Sequence, residues 1–136
     1  MSKLIRKIKN FETKKWEVKM NHKNLRVWQE SFSLCKNIFD ISNNNKFNKY
    51  LQLKIQLQKT SLSIVSNIAE GCARKSNIEC LNFLNYSLGS VAELETQLLL
   101  AYELYLLNDK QTLKDLKFIK ILLIGLISHI KKTVNK

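Results

Sequence analysis

Not one proline interrupts the 136 residues, and glycine occurs only at positions 71, 89 and 125. A β-sandwich or barrel needs frequent tight turns, so this scarcity of turn residues favours long helices joined by few connections. A chain of this length forms one domain by default and buries a real core without metals or disulfides. Its apolar share of 45% is that of a globular chain and argues against wholesale disorder.

Apolar spacing predicts four helices. The first runs from about Leu25 to Ile41, with Asn24 as its N-cap; Trp28, Phe32, Cys35 and Phe39 form one stripe, led by a core Trp28, and Val27, Leu34, Ile38 and Ile41 a second. The asparagine-rich stretch SNNNKFN reads as a loop. The second helix runs from about Tyr50 to Glu70, where Gly71 suits the left-handed position after a helix end. It has two apolar faces, Leu51, Ile55, Leu62, Val65 and Ala69 on one, Leu53, Leu57, Ile64 and Ile68 on the other. The third opens on the capping-box pattern Ser76-Asn77-Ile78-Glu79 and continues to about Leu106, with Leu81, Leu84, Leu88, Ala92, Leu99, Tyr102 and Leu106 as its main stripe. In the fourth, from about Gln111 to Lys132, Leu116, Ile119, Leu123, Ile127 and Ile130 face inward, while Phe118, Ile121 and Ile124 lie off that face.

Short connections make consecutive helices antiparallel neighbours. The expected fold is therefore all-α, an antiparallel up-down-up-down four-helix bundle over residues 24–133. One apolar stripe per helix is enough for an isolated bundle. The second stripes on the second and fourth helices point to a further covered surface, hence to a homo-oligomer.

The net charge is +12, from 23 Lys and Arg against 11 Asp and Glu. Such a balance suits nucleic acid or an anionic membrane surface. Residues 1–23 hold seven lysines and Arg6 against Glu12 and Glu17, a balance of +6, and read as a basic arm, flexible or weakly docked. Met20 is an alternative start that would make this arm incidental. In an antiparallel bundle the arm, the connection between the second and third helices and the C-terminus share one end. The candidate phosphate contacts at that pole are Lys14, Lys15, Arg26, Arg74, Lys75, Lys131 and Lys132.

Ser63, Asn67, Glu70, Gly71, Gly89, Glu93 and Glu95 form a polar motif within otherwise apolar helices. Glu95 is expected in the apolar seam of the third helix, where a carboxylate needs partners; Ser63 and Asn67 are positioned to face it, and Arg74 to pair with Glu70 or Glu79. The structural reading is a hydrogen-bonded network that fixes register and assembly. The competing reading, an acid–base pair, finds no nearby histidine and no nucleophile. Gly89 in mid-helix costs about 1 kcal/mol against alanine, and close approach of two helices would account for it.

Cys35, Cys72 and Cys80 are odd in number, lack CxxC spacing and form no zinc pattern with His22 and His129. Reduced thiols in the cytoplasm are expected, with Cys72 partly exposed, and neither metal nor cofactor. The apolar run from Ile121 to Ile130 is too short to span a bilayer, which takes about 20 residues, and Lys7, Lys9 and Glu12 break any signal-peptide core.

The stretches LRVWQESFSL, SIVSNIAEG, CARKS and FLNYSLGSVAELETQL together resemble the four-helix-bundle family of 23S rRNA intervening-sequence proteins, over about Leu25 to Ile130. The resemblance implies a helical bundle that assembles into a ring, usually a homopentamer, with no established enzymatic activity. Distant relatives are the accessory proteins of diversity-generating retroelements, basic rings that bind nucleic acid and a reverse transcriptase. The leading expectation is a non-enzymatic oligomer that binds nucleic acid, structured RNA such as rRNA or also DNA, through phosphates. The alternative is an interaction scaffold for an enzyme partner such as a reverse transcriptase.

Overall fold

The computed structural model describes residues 21–134, and every regular element among them is helical. A 3-10 turn, His22–Asn24, precedes α1 (Arg26–Ser42); a second, Asn45–Tyr50, leads into α2 (Leu51–Ala73); α3 (Asn77–Glu103) and α4 (Gln111–Val134) complete a four-helix bundle. The arm expected over residues 1–23 lies almost wholly outside the described residues.

Asn24 is not the cap of α1. Asn21 opens the 3-10 turn by accepting the Lys23 N–H at 3.0 Å, and α1 starts from an extended Leu25 with no side-chain cap. The asparagine-rich stretch is a 3-10 turn rather than a plain loop. Asn44 accepts the Lys46 N–H at 2.9 Å, and Phe47 is wholly buried.

Gly71 does not end α2, which continues through it in ordinary helical conformation to Ala73. Space, not backbone freedom, requires glycine there: a Cβ would sit 3.1 Å from the Cys80 carbonyl oxygen and 3.2 Å from the Phe83 Cβ. The Ser76 half of the capping box is made, its Oγ accepting from the N–H groups of Ile78 and Glu79 at 3.1 and 3.3 Å. α3 ends earlier than expected, at Glu103, in a Schellman motif. The Leu106 N–H donates to the Ala101 carbonyl and the Tyr105 N–H to that of Tyr102, with Tyr105 left-handed at φ 59°.

The inner face of α4 is the one its spacing predicts, Leu116, Ile119, Leu123, Ile127 and Ile130 all being buried. On α3 the buried face is rotated from the expected stripe: Cys80, Leu84, Ser87, Val91, Leu94, Leu98 and Ala101, alternating four and three residues apart, as in coiled-coil packing. On α1 the second stripe is the core, while Phe32 and Phe39 are exposed and Trp28 is only half-buried, stacked on Phe32 at 5.0 Å. On α2, Leu57, Ile64 and Ile68 are buried, while Leu51, Ile55 and Leu62 of the other face are exposed. All three cysteines are buried, Cys72 included, contrary to its expected exposure.

α1 packs on α2, α2 on α3, α3 on α4 and α4 on α1, with α2–α3 the most extensive pair. Gln58 Nε2 donates to Ser42 Oγ and Ser61 Oγ to Cys35 Sγ, so α1 and α2 are antiparallel. Across α2–α3, Gln97 reaches Thr60, Ser90 reaches Ser63, and Ser87 Oγ donates to the Ile64 carbonyl, again antiparallel.

Candidate nucleic-acid interface

The polar motif is built along the α2–α3 seam. Small residues let the two helices approach closely, and their hydroxyls then pair across the gap. Ser63 and Ser90 share a hydrogen bond at 2.9 Å; Asn67 Nδ2 donates to the Ser63 carbonyl at 2.9 Å and to its Oγ at 3.1 Å. Buried hydroxyls that find partners carry little net penalty, whereas orphaned ones are costly.

Glu95 is not part of this network. The rotation of α3 turns it outward, where it is exposed and lines a groove of about 360 Å³ with Val91, Leu116, Lys117, Lys120, Ile121 and Ile124. Ser90 takes the place expected of Glu95 opposite Ser63, while Asn67 turns back to Ser63 on its own helix. Glu93 is exposed as well. Gly89 is exposed, and a Cβ there would meet none of the other described residues within 4 Å, so the close approach expected at Gly89 occurs at Gly71 instead.

At the α2–α3 connection, Arg74 caps α2 in extended conformation and is followed by the exposed Lys75. Of the two expected partners, Arg74 takes Glu70: its Nη2 donates to Glu70 Oε1 one turn back. The guanidinium also lies over the Phe83 ring, 4.6 Å from its centre, and its Nε is buried without a hydrogen bond to any described residue. Arg26 is engaged in the same way, with Glu30 at 3.7 Å and over the Phe118 ring at 4.9 Å. Lys75, Lys131 and Lys132 are exposed and form no ion pair with another described residue. Lys131 and Lys132 lie in the last turn of α4, where the helix dipole favours cations. Lys14 and Lys15 lie outside the described residues.

Two aromatic residues of the FLNYSLG stretch, given no role from the sequence, stand beside this connection. Phe83 carries Arg74 on its face and meets Tyr86 edge-on, ring centres 5.7 Å apart at 85°. Only the α2–α3 register brings Arg74 to Phe83; the three-residue spacing of Phe83 and Tyr86 was the available signal.

Apolar side chains are also left uncovered. At 100° per residue, Phe32 and Phe39 lie just beyond Cys35 on α1, and Ile55 and Leu62 beyond Ser61 and Gln58 on α2. The α1–α2 flank therefore presents four large exposed apolar residues. The α3–α4 side presents Leu99, Ile121 and Ile124. Large exposed apolar side chains gathered on one flank are suited to an interaction surface.

Among the described residues no three of His, Cys, Asp and Glu come together as a metal site would need, and no helix is long and apolar enough to cross a membrane. No curated protein matches the chain. The model of the 23S rRNA-intervening sequence protein family matches residues 23–125. This match spans α1, α2, α3 and most of α4, including the polar seam and the Arg74–Lys75 connection, and the chain belongs to the 23S rRNA-intervening sequence protein family.

Proposed function

We propose that the protein is a non-enzymatic, cytoplasmic homo-oligomer that binds structured RNA through its phosphates. The observation that carries this reading is the charge of +12, half of it within residues 1–23. In an up-down-up-down order that segment joins the bundle, through Leu25, at the end where Lys75, Lys131 and Lys132 lie. Exposed lysines without carboxylate partners are suited to phosphate contacts, which give affinity and steep salt dependence but little sequence discrimination. Arg26 and Arg74, held by Glu30 and Glu70, contribute less than the lysines.

The exposed apolar flanks support assembly. In a bundle where α2 also packs on α3 and α4 on α1, the α1–α2 and α3–α4 flanks lie on opposite sides. Two unlike faces on opposite sides suit head-to-tail contact, which closes into a ring when the rotation permits; a pentamer is the form the family resemblance implies. A second reading, a scaffold for a protein partner, is favoured by the same uncovered residues if the flanks receive another chain.

The test is a salt titration of RNA binding by the full chain, with its mass measured in parallel. A linear fall of log affinity with log salt, on an oligomer, is expected. An oligomer that binds no RNA at about 50 mM salt, a concentration at which phosphate contacts are strong, would favour the scaffold.

A further inference from the structure

We propose that Tyr86, braced on Phe83 beside the Arg74–Lys75 connection, is a stacking platform for a base of single-stranded nucleic acid, an inference that rests on the nucleic-acid reading above and adds to it a preference for unpaired strands. Tyr86 is 60% exposed, and one side of its ring meets Phe83 edge-on. Its partner Phe83 is half-buried at the α2–α3 seam, and the Phe83 face is occupied by a guanidinium that Glu70 holds. An aromatic surface fixed before the ligand arrives loses less freedom on binding than a free one.

Gly89 points the same way. It lies three residues after Tyr86, so the two are surface neighbours on α3. Gly89 has helical backbone that any residue adopts, and no atom of the described residues crowds the position. Neither conformation nor internal packing asks for glycine, although it weakens the helix. A bare backbone one turn from an exposed ring leaves a clear floor on which a flat group can rest, one of the uses glycine serves at ligand sites.

The chemistry of the surroundings selects the ligand. Every base has a π-face, so stacking is tolerant of sequence, and Lys75 supplies a cation for an adjacent phosphate. Glu70 is neutralised by Arg74. Glu79 and Glu93 lie two turns to either side of Tyr86, about 10 Å along the axis, and Glu93 one turn beyond Gly89, so a strand crosses α3 at Tyr86 rather than following it toward Glu93. In a duplex the faces of the bases are already stacked on one another, so this platform serves only unpaired nucleotides.

The experiment measures binding of a fluorescent uridine 20-mer and of an RNA duplex of equal length to the full chain, with sedimentation and circular dichroism alongside. Tyr86→Ala is expected to weaken single-strand binding roughly tenfold, with duplex affinity, salt slope and assembly mass unchanged; Tyr86→Phe retains wild-type binding. Gly89→Leu, which fills the floor while improving helix propensity, is expected to weaken the single strand alone. Equal single-strand binding by wild type, Tyr86→Ala and Gly89→Leu overturns the platform and leaves phosphate binding standing. A changed assembly mass in Tyr86→Ala makes the ring a contact between copies and overturns it too. A wild type that binds neither probe overturns the nucleic-acid reading itself, and the platform with it.

Discussion

Gly71 of α2 lies so close to α3 that a single added methyl would stand 3.1 Å from the Cys80 carbonyl oxygen. That atom and the Phe83 Cβ belong to rigid parts of α3 and give way only if the helix moves. Overpacking of this kind costs about 1–3 kcal/mol, against a propensity gain of about 1 kcal/mol for replacing glycine in a helix. Gly71→Ala is therefore expected to lower the thermal midpoint. At Gly89 the steric part is missing, and Gly89→Ala is expected to stabilise by about 0.5–1 kcal/mol. Thermal melts of both variants at one protein concentration check the opposite signs.

Tyr105 terminates α3 in the left-handed region that a side chain enters at a cost of about 1–2 kcal/mol, and it is 85% exposed, so its ring returns little packing. Tyr105→Gly is expected to raise stability by about 1 kcal/mol, offset in part by the larger entropy of glycine in the unfolded chain. Urea titration gives the sign.

Assembly through the two apolar flanks has a complementation test. Phe39→Asp with Leu62→Asp removes the α1–α2 flank, and Ile121→Asp with Ile124→Asp removes the α3–α4 flank. Each double variant alone is expected to be monomeric by light scattering. Mixed, they pair one to one, because each keeps the flank the other lacks. Assembly of either variant by itself at micromolar concentration rules out head-to-tail pairing through these faces.

Local pairing of the two arginines sets a ranking among the basic residues. Lys75→Gln, or the pair Lys131→Gln with Lys132→Gln, is expected to reduce the salt slope of single-strand binding by roughly 0.7 per lost contact. Arg74→Gln and Arg26→Gln remove cations already held by Glu70 and Glu30 and change the slope less. Anisotropy titrations at several salt concentrations provide the comparison.

Much of the fold is legible in the sequence because most helix limits depend on local chemistry. Ser76 is a strong cap with or without its neighbours, and the inner face of α4 stands out against the lysines around it. α3 misleads because Leu81, Leu84, Leu88, Leu94, Leu98, Leu99 and Leu100 surround it with apolar groups. Several faces then fit the helical period, and the true one is disguised by Cys80, Ser87 and Ala101. Placing Glu95 in the seam followed from that rotation. The exchange of roles between Gly71 and Gly89 has a similar origin, since only the distance between α2 and α3 decides which glycine is crowded. At the candidate site, the i,i+4 pair of Glu70 and Arg74 was one of two readable options, whereas the Phe83 contact belongs to the tertiary register.

Phe47 is the only wholly buried aromatic side chain among the described residues, and it belongs to the connection between α1 and α2 rather than to a helix of the bundle. What looks like a linker by composition is thus a cork in the hydrophobic interior, and truncating it to alanine is worth about 3–5 kcal/mol of destabilisation. Inserted sequence or a protease cut at 45–50 would pull that cork. The turn at 108–110, exposed throughout, is the place to graft a tag or fluorophore while the interior stays sealed.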